Sequence, residues 1–438
     1  MPAPRRSLLG GLACPAALLG DLASAPFSTN TRLYSRAVRL NELFDVVFRW
    51  AHLIAGIMWI GNSMLFNWLD RNLEHHDALS PLSQGKIYMV HSGAFYDVEK
   101  KLLAPGELPT TLHWFKWQNG FTWMTGISLL IIVYYANGAA FLVDPNVMAL
   151  DPSVAISLSA FSLLVGWMLY DVLWSQFGEH HPRVATAASI AMLFAAIFGF
   201  SMVFSGRAAY IQTGVLIGTI MTGNVWLCIL PSQRSLIAAT KAGQPQDPVL
   251  SLRAKQRSIH NNYLTFPLLF IMLSNHFPSA YGHHLNWLVL IAVMVGGAGV
   301  RHFMNIRYRG EGRQMITIAW LTPATVSAAI AVAGLVVITR IPAAPEVDVT
   351  HPVDFARAQE IIVKRCVPCH SAHPTDPAFP APPNNVVFET PDQIKLMVPR
   401  IRERAIESKT MPFLNRTQIT PLERAELGRW IADGAKLQ

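Results

Sequence analysis

Long apolar stretches alternate with short polar ones over most of the chain. Eight of these stretches are long and apolar enough to cross a bilayer, which takes about 20 residues each. After residue 342 the pattern changes, and amphipathic segments separated by polar loops replace the apolar runs. We therefore predict an all-α protein, an eight-span transmembrane helix bundle followed by a small second domain. The predicted spans are residues 43–69, 117–136, 153–175, 183–204, 207–230, 259–277, 284–304 and 316–340.

Residues 1–40 precede the first span and are excluded from the predicted fold. Arg5 and Arg6 are followed by an apolar run, Leu8–Gly20, and an alanine-rich end, a pattern typical of a targeting segment. That run is too short to span a bilayer. A signal peptide, an uncleaved extension and a misassigned start codon all fit the pattern. The bundle is assigned to residues 41–342 and the second domain to residues 343–438.

The composition supports a membrane protein. Of the 438 residues, 52% are hydrophobic and only 14% are charged, which is unusual for a soluble protein. The net charge of +8 would suit a nucleic-acid partner, but the basic residues cluster in short loops between the spans. Membrane topology explains this clustering better, so we expect membrane lipid and no nucleic acid as a partner.

The second domain contains the run Cys366-Val367-Pro368-Cys369-His370. A C-x-x-C-H run is the attachment site of c-type haem, with both thiols joined to the haem and the imidazole below the iron. A redox C-x-x-C before a histidine and half of a zinc site are the alternatives. A zinc site needs further ligands, and Cys14 and Cys228 lie far away and alone. We predict one covalent haem c, with His370 as an iron ligand.

Two methionines follow this motif and are candidates for the second axial ligand. Methionine in that position raises the reduction potential of the iron. Met397 lies within a predicted helix, Asp392–Glu407, on its apolar stripe, and is better explained as a core residue. Met411 precedes Pro412 in a segment where regular structure ends and a loop can approach a metal. We therefore select Met411.

The remaining segments of the second domain suit a small haem protein. Helices are predicted at Val353–Arg365 and Pro421–Ala435, with a proline-rich loop at Pro374–Pro383. Residues 348–438 resemble a class I cytochrome c domain. The resemblance implies His370 and Met411 as axial ligands, electron transfer as the role, and a location in the periplasm, where such haems are attached in bacteria.

The basic residues provide a separate test of this orientation. An even number of spans places both ends of the bundle on one side, so a periplasmic second domain implies a periplasmic start. By the positive-inside rule, cytoplasmic loops should then be rich in lysine and arginine. The predicted periplasmic loops contain Arg207 alone, although Arg32, Arg36 and Arg39 before the first span run against the rule. The predicted cytoplasmic segments contain fifteen basic residues: Arg71, Lys86, Lys100, Lys101, Lys116, Arg183, Arg234, Lys241, Arg253, Lys255, Arg257, Arg301, Arg307, Arg309 and Arg313.

Ionisable residues inside spans are costly and often functional. His52 shares one face of the first span with Gly56, which leaves room for a flat ligand such as a porphyrin. A histidine bonded to a hydroxyl or carbonyl of a neighbouring span is the alternative. His276 ends the sixth span at a similar depth, so His52 and His276 are the candidate ligands of a b-type haem.

Other polar groups lie near the cytoplasmic ends of spans. His260 is interpreted as an interfacial residue, and Asn224 and Asn261 lie at similar depth. Asp171 is either a snorkelling side chain or a proton-handling group. In the long loop between the first two spans, Gly93 could turn a short hairpin, and its aromatic residues suit an interfacial belt or a planar substrate.

The order of these parts resembles a known family. The stretch Arg49–Arg71 (RWAHLIAGIMWIGNSMLFNWLDR), the loop His91–Lys100 (HSGAFYDVEK), eight spans and a terminal CVPCH resemble the membrane-bound urate oxidases of the PuuD type, over residues 40–438. The resemblance implies an inner-membrane enzyme that oxidises urate to 5-hydroxyisourate. It implies that electrons pass to the fused haem c and then to a terminal oxidase or a soluble cytochrome c. It assigns no catalytic residue.

Three other classes of function remain open. The helix around His52 resembles the first span of membrane haem oxidases that act on porphyrinogens. A non-enzymatic membrane anchor that relays electrons through its cytochrome would have the same architecture. A transporter is disfavoured because the spans show no pair of broken helices. A change of the haem spectrum on adding urate distinguishes a urate oxidase from an electron relay. A urate oxidase shows this change by itself, whereas a relay needs another protein to show it.

Overall fold

Helices account for most of the computed structural model, which describes residues 29–75, 82–104, 107–136, 139, 141–145, 147–245, 247–306, 318–340, 349–376, 379, 381–407 and 409–437. The predicted targeting run at Leu8–Gly20 lies outside the described residues. Two helical units are present, a large one up to residue 340 and a smaller one from residue 349, which we name the bundle and the C-terminal unit. The bundle helices are α1 (Thr29–Asn72), α2 (Trp117–Leu129), α3 (Pro152–Phe177), α4 (Pro182–Val203), α5 (Gly206–Gly223), α6 (Leu230–Lys241), α7 (Pro248–Ser274), α8 (Pro278–Tyr281), α9 (Asn286–Ile306) and α10 (Ile318–Arg340).

Five helical segments of the described chain are long and apolar enough to cross a membrane, which fits a membrane protein. The other three predicted spans also lie on helices, namely on α2, the second half of α7, and α10. Helix α2 continues into a wider π-helical segment, Leu130–Tyr135, and α5 continues through another, Asn224–Ile229, into α6. The five segments are Leu43–Asn72, Pro152–Phe177, Pro182–Val203, Gly206–Lys241 and Asn286–Ile306.

Local sequence explains where several of these helices begin. Asp151 accepts a hydrogen bond from the backbone N–H of Ser153 and is followed by a proline, so α3 begins there. Asp247 caps α7 in the same way, and the side chain of Ser205 caps α5. Helix α5 forms the centre of the bundle, with Tyr210 and Ile217 fully buried in its core. The central position of α5 brings polar residues of its neighbours together, as described below.

One β-hairpin departs from the predicted all-α fold. Strands β1 (Ser83–His91) and β2 (Ala94–Lys101) pair antiparallel, with Ser92 and Gly93 between them. Both turn residues have positive φ, 52° and 77°, as a tight two-residue hairpin requires. The hairpin predicted around Gly93 is thus present in the structure.

The C-terminal unit has a core of its own. Its helices are α11 (Phe355–Arg365), α12 (Pro391–Ile401) and α13 (Pro421–Ala432), packed around Trp430. Helix α12 ends earlier than the predicted Glu407 and continues as a π-helical segment, Arg402–Glu407. Helix α13 ends before the predicted Ala435 because the backbone turns at Gly434, where φ is +96°.

Candidate functional site

A group of polar side chains, most of them buried, lies between α3, α7 and the π-helical segment that follows α5. Such residues are expensive inside an apolar bundle unless each is hydrogen-bonded, and they tend to mark function. The segment Asn224–Ile229 belongs to the rare π-helical class, which occurs often at functional sites. We name this group the polar cluster and define it as Tyr170, Asp171, Asn224, Arg257, His260 and Asn261.

Asn224 is the centre of the polar cluster. Its Nδ2 donates to Oδ1 of Asn261 at 2.9 Å and to the hydroxyl of Tyr170 at 3.1 Å. Its Oδ1 accepts from Nη1 of Arg257 at 3.2 Å. The Asn224 amide therefore acts as both donor and acceptor, and its hydrogen bonds join α3 and α7 to the π-helical segment that follows α5. These bonds fix the orientation of the amide.

Tyr170 and His260 form the most directional pair of the polar cluster. The Tyr170 hydroxyl lies 2.7 Å from Nδ1 of His260 and also accepts from Nδ2 of Asn224, and a hydroxyl oxygen can accept two hydrogen bonds. When the Nδ1–H of the neutral imidazole donates to this hydroxyl, the lone pair of Nε2 is free to take a proton. The ring of Trp174 lies 4.1 Å from the His260 ring and covers one side of it. The pair is arranged to pass a proton along a short hydrogen-bonded path.

Arg257 supplies the positive charge of the polar cluster. Its side chain is only 2% exposed, and Nη2 donates to the Asp171 carboxylate at 2.8 Å. The guanidinium carbon lies 4.9 Å above the Tyr170 ring. The Nε–H has no hydrogen-bond partner among the described residues. A buried guanidinium that is paired with one carboxylate and keeps a free N–H can donate one further hydrogen bond to a planar acceptor.

A second buried network extends the polar cluster toward α9. Oδ1 of Asn262 accepts from Nε of Arg301 at 3.0 Å and from Nδ2 of Asn305 at 2.7 Å. All three side chains are buried. Arg257 on α7 and Arg301 on α9 are thus two buried arginines near Asn261 and Asn262, which are neighbours in α7.

A cavity of about 340 Å³ opens beside the polar cluster. Trp174 forms part of its wall, with Gln256 holding the opposite side by donating to the carbonyl of Gly178 at 3.0 Å. Arg253 and Lys255 line the cavity together with Glu179, so its basic residues outnumber its acidic one. The cavity adjoins the polar cluster through Trp174, whose ring also contacts His260.

A larger cavity, of about 450 Å³, lies between α2 and α5 and has a different character. It is walled by Trp117, Trp123, Trp167 and Trp226, and its surface is almost entirely apolar. The indole N–H of Trp226 is already used by Oδ1 of Asn119 at 3.0 Å. This cavity offers nothing that would orient a polar substrate.

The haem-motif residues occupy one turn after α11. The Cys366 and Cys369 thiols form no disulfide, and burial raises the pKa of Cys366 to about 12 and that of Cys369 to about 11. Nδ1 of His370 lies 3.0 Å from the carbonyl oxygen of Val386. That bond orients the ring and leaves Nε2 for a metal, the arrangement usual for ligating histidines. The three side chains fit a c-type haem.

The two methionine candidates differ in their surroundings. Met397 packs against the core of the C-terminal unit, as predicted. Met411 lies in a loop, where its N–H donates to the carbonyl of Arg404 at 2.9 Å and its carbonyl accepts from Nη1 of Arg424 at 2.7 Å. The backbone of Met411 is thus held at two points while its side chain lies outside that core, which fits an axial ligand.

His52 and His276 are placed differently. Nδ1 of His52 lies 2.9 Å from the carbonyl oxygen of Thr122 and 3.1 Å from the hydroxyl of Thr125, so the ring links α1 to α2. His276 is exposed beyond the end of α7. No hydrogen bond or ring contact between described residues joins the two histidines. His52 keeps Nε2 available for a metal, and a shared b-type haem stays a prediction.

Sequence reasoning located some members of the polar cluster and missed others. Asn224, His260 and Asn261 were expected at similar depth, with His260 as an interfacial residue, and the structure buries both asparagines in the interior. Arg257 and Arg301 were predicted to lie in cytoplasmic loops. This prediction is wrong for both residues, because they lie within helices and are buried. Helix α7 begins at Pro248, ahead of the predicted span, so α3 covers Arg257. Nothing in the sequence distinguished Tyr170.

Residues 38–335 match the model of a protein family described as "Urate oxidase N-terminal". No curated protein matches the chain, and no solved structure does. The matched region contains most of the bundle and every residue of the polar cluster.

Proposed function

This chain belongs to the urate oxidase N-terminal family, and we propose that it is a membrane-bound urate oxidase that passes electrons to a c-type haem in its C-terminal unit. The family match supports a urate-related oxidation. The five long apolar helices support a membrane location. The finer elements, namely eight spans, an inner-membrane location with a periplasmic C-terminal unit, and haem as acceptor, are part of this proposal.

The reaction defines what the site must do. The urate anion and one water give 5-hydroxyisourate, one proton and two electrons. Binding therefore needs a positive charge and groups that match the donors and acceptors on the purine edge. Catalysis needs a group that takes the proton from water or substrate, and an acceptor for two electrons.

The buried guanidinium of Arg257 is the observation that carries the assignment of the site. It combines a positive charge, a free Nε–H and a neighbouring amide, Asn224, within one buried cluster. A purine trione presents alternating N–H and C=O groups, which amides and a guanidinium recognise in a plane. Arg253 and Lys255 in the adjacent cavity would draw the anion inward.

Proton transfer is assigned to His260 with Tyr170. The imidazole is held by the Tyr170 hydroxyl at 2.7 Å, and Asn224 fixes that hydroxyl in turn. In this arrangement His260 takes a proton and Tyr170 positions it. A positioned general base of this kind typically contributes a factor of about 10² to 10⁴ in rate.

Electron acceptance is assigned to the C-terminal unit. A bound c-type haem supplies a one-electron acceptor, so each urate needs two transfers. Cys366 and Cys369 would hold it covalently, and His370 and Met411 would be its axial ligands. A terminal oxidase or a soluble cytochrome c would take the electrons onward. A b-type haem bound through His52 is a further proposed cofactor that would shorten the path across the bundle, with His276 the other candidate ligand.

The test is anaerobic addition of urate to the purified full chain while the haem c absorption is recorded. We expect reduction of the haem in the wild type and a loss of at least 100-fold in urate affinity in Arg257→Gln. Arg253→Gln, at the wall of the cavity, should lose less than 10-fold and serves as the control.

Two results would contradict the proposal. Urate oxidation that requires oxygen and releases stoichiometric peroxide, with the haem remaining oxidised, would exclude the cytochrome as acceptor. Haem reduction that needs a second protein would instead identify the chain as an electron relay.

A further inference from the structure

The bundle and the C-terminal unit meet at a pair of phenylalanine rings. The ring centroids of Phe141 and Phe413 are 4.8 Å apart, with the planes inclined by 56°. Phe141 lies in the loop that precedes α3, and Phe413 lies two residues after Met411. The contact therefore joins the bundle to the loop that carries the proposed axial ligand.

Phe141 is held rigidly on the bundle side. The hydroxyl of Ser205 donates to the Phe141 carbonyl at 2.8 Å, and the Ser205 N–H donates to the carbonyl of Leu142 at 2.9 Å. The Leu142 side chain is only 1% exposed and belongs to the bundle core. These bonds attach the loop to the start of α5, so the Phe141 ring has a fixed support.

Arg207 completes the support beneath Phe141. Its guanidinium carbon lies 5.3 Å from the Phe141 ring and 5.9 Å from the Tyr134 ring. Its Nε–H donates to Oδ1 of Asn275 at 2.9 Å, which connects it to the end of α7. Stacking of an arginine on an aromatic face stabilises the ring position and costs little when the arginine is anchored.

Phe413 is held from its own side. The ring of Phe379 meets it edge-on, with centroids 6.1 Å apart. The loop is fixed upstream by the two backbone hydrogen bonds of Met411, to Arg404 and from Arg424. Two separately anchored rings therefore meet at the junction. The two units are in direct contact and are not connected only by the linker between them.

We propose that the Phe141–Phe413 contact docks the C-terminal unit on the bundle in one fixed pose, and that electrons enter the haem from this face. The electron role rests on the proposed function; the docking does not. A docked unit keeps the donor and the Met411 side of the haem at one separation. A unit that was only tethered would meet the bundle by diffusion, with a frequency set by the length of the tether.

Docking is tested by a disulfide. The full chain with Phe141→Cys and Phe413→Cys, and with a protease site inserted within residues 341–348, is oxidised mildly, cleaved and run on a non-reducing gel. We expect the two halves to stay joined in most molecules and to separate on reduction. The matched control pairs Phe141→Cys with Leu396→Cys, because Leu396 is 75% exposed on the same unit. Equal cross-linking in both pairs would overturn the docking proposal.

Electron entry is tested by rapid mixing of the full chain with urate in the absence of oxygen. Phe413→Ala should slow haem reduction by urate at least 10-fold while leaving reduction by dithionite, which needs no bundle, unchanged. Leu396→Ala should change neither rate. An unchanged urate rate in Phe413→Ala overturns entry by this face. If urate fails to reduce the wild-type haem, the proposed function falls together with electron entry, while the disulfide still decides the docking.

Discussion

Arg257 and Asp171 form an ion pair of 2.8 Å in which the arginine side chain is 2% exposed and the aspartate side chain 41%. The cation is therefore buried, while the carboxylate that balances its charge is partly exposed at the surface of the bundle. In a low-dielectric bundle such a cation depends on its partner, because water cannot replace it. Asp171 therefore lies at the edge of the site and stabilises the buried charge of Arg257.

Removing Asp171 should therefore destabilise the bundle. We expect Asp171→Ala to cost about 3 kcal/mol, the lower end for breaking a buried pair, since Asn224 still accepts from Arg257. Asp70→Ala, which breaks the exposed pair with Lys100, should cost less than about 1 kcal/mol. Thermal unfolding in detergent measures both. Equal losses would mean that Arg257 is not a buried cation that depends on its partner.

The proposed catalytic effect of the Tyr170 hydroxyl can be distinguished from the effect of any buried tyrosine hydroxyl on stability. Tyr170→Phe should lower kcat by about 10-fold or more with little change in KM, because the hydroxyl positions His260. Tyr210→Phe is the control, since the Tyr210 hydroxyl is also buried but donates to the carbonyl of Asn286 at 2.7 Å. That variant should lose stability and keep kcat. A normal kcat in Tyr170→Phe would remove the tyrosine from the mechanism.

The helices were predictable because hydropathy alone marks them. All eight predicted spans lie on helices, and the hairpin at Gly93 followed from the turn chemistry. The polar cluster was not predictable, because its formation depends on which faces of α3 and α7 pack together. The sequence around an arginine such as Arg257 does not show whether the residue lies in a loop or in the interior of the bundle. Only the start of α7 at Pro248 decides between them.

The haem motif was the opposite case, since covalent chemistry fixes its spacing. Cys366 and His370 were predicted as haem-binding residues without any knowledge of the fold; the structure adds the Val386 hydrogen bond, and the haem itself stays a prediction. The choice between Met411 and Met397 needed helix periodicity. The packing of Met397 on the core supports that choice, and the ligand itself stays a prediction.

The two methionines should respond differently to substitution. Met411→Ala should leave the haem covalently attached and lower its reduction potential, because loss of a thioether ligand disfavours ferrous iron. Met397→Ala should leave the potential unchanged and lower the stability of the C-terminal unit by about 2 to 4 kcal/mol, as expected for a truncated core side chain. Redox titration and urea unfolding give the two readouts. A lowered potential in Met397→Ala alone would reverse the assignment.

The C-terminal unit should lose stability in mild acid through Glu423. Burial raises the pKa of this carboxyl, but hydrogen bonds from the Thr420 N–H and the Arg365 guanidinium outweigh it and hold the pKa below its ordinary value. Since the folded pKa is lower than the unfolded one, the stabilisation is complete above the ordinary value of about 4.3. It is lost as the pH falls below that value.

Glu423→Gln tests this, because glutamine keeps the capping bond to Thr420 and cannot titrate. Urea unfolding followed by haem absorption should show a flatter dependence on pH between about 5 and 3 in this variant. Glu360→Gln, at a side chain that is 63% exposed, should retain the wild-type slope. A slope in Glu423→Gln that equals the wild-type slope would assign the acid sensitivity to another group.

His52 provides the last test, because its bond to Thr122 admits two meanings. Donation from Nδ1 to the Thr122 carbonyl orients a ligating histidine, and the same bond also simply joins α1 to α2. If His52 holds a b-type haem, a pyridine haemochrome assay should find b-type and c-type haem in the wild type and only the c-type in His52→Ala. Thr125→Ala removes the second contact of the ring and keeps the first, so it should retain both haems. Absence of b-type haem from the wild type would leave His52 as an interhelical hydrogen bond worth about 1 kcal/mol, and electrons would then cross the bundle without a haem there.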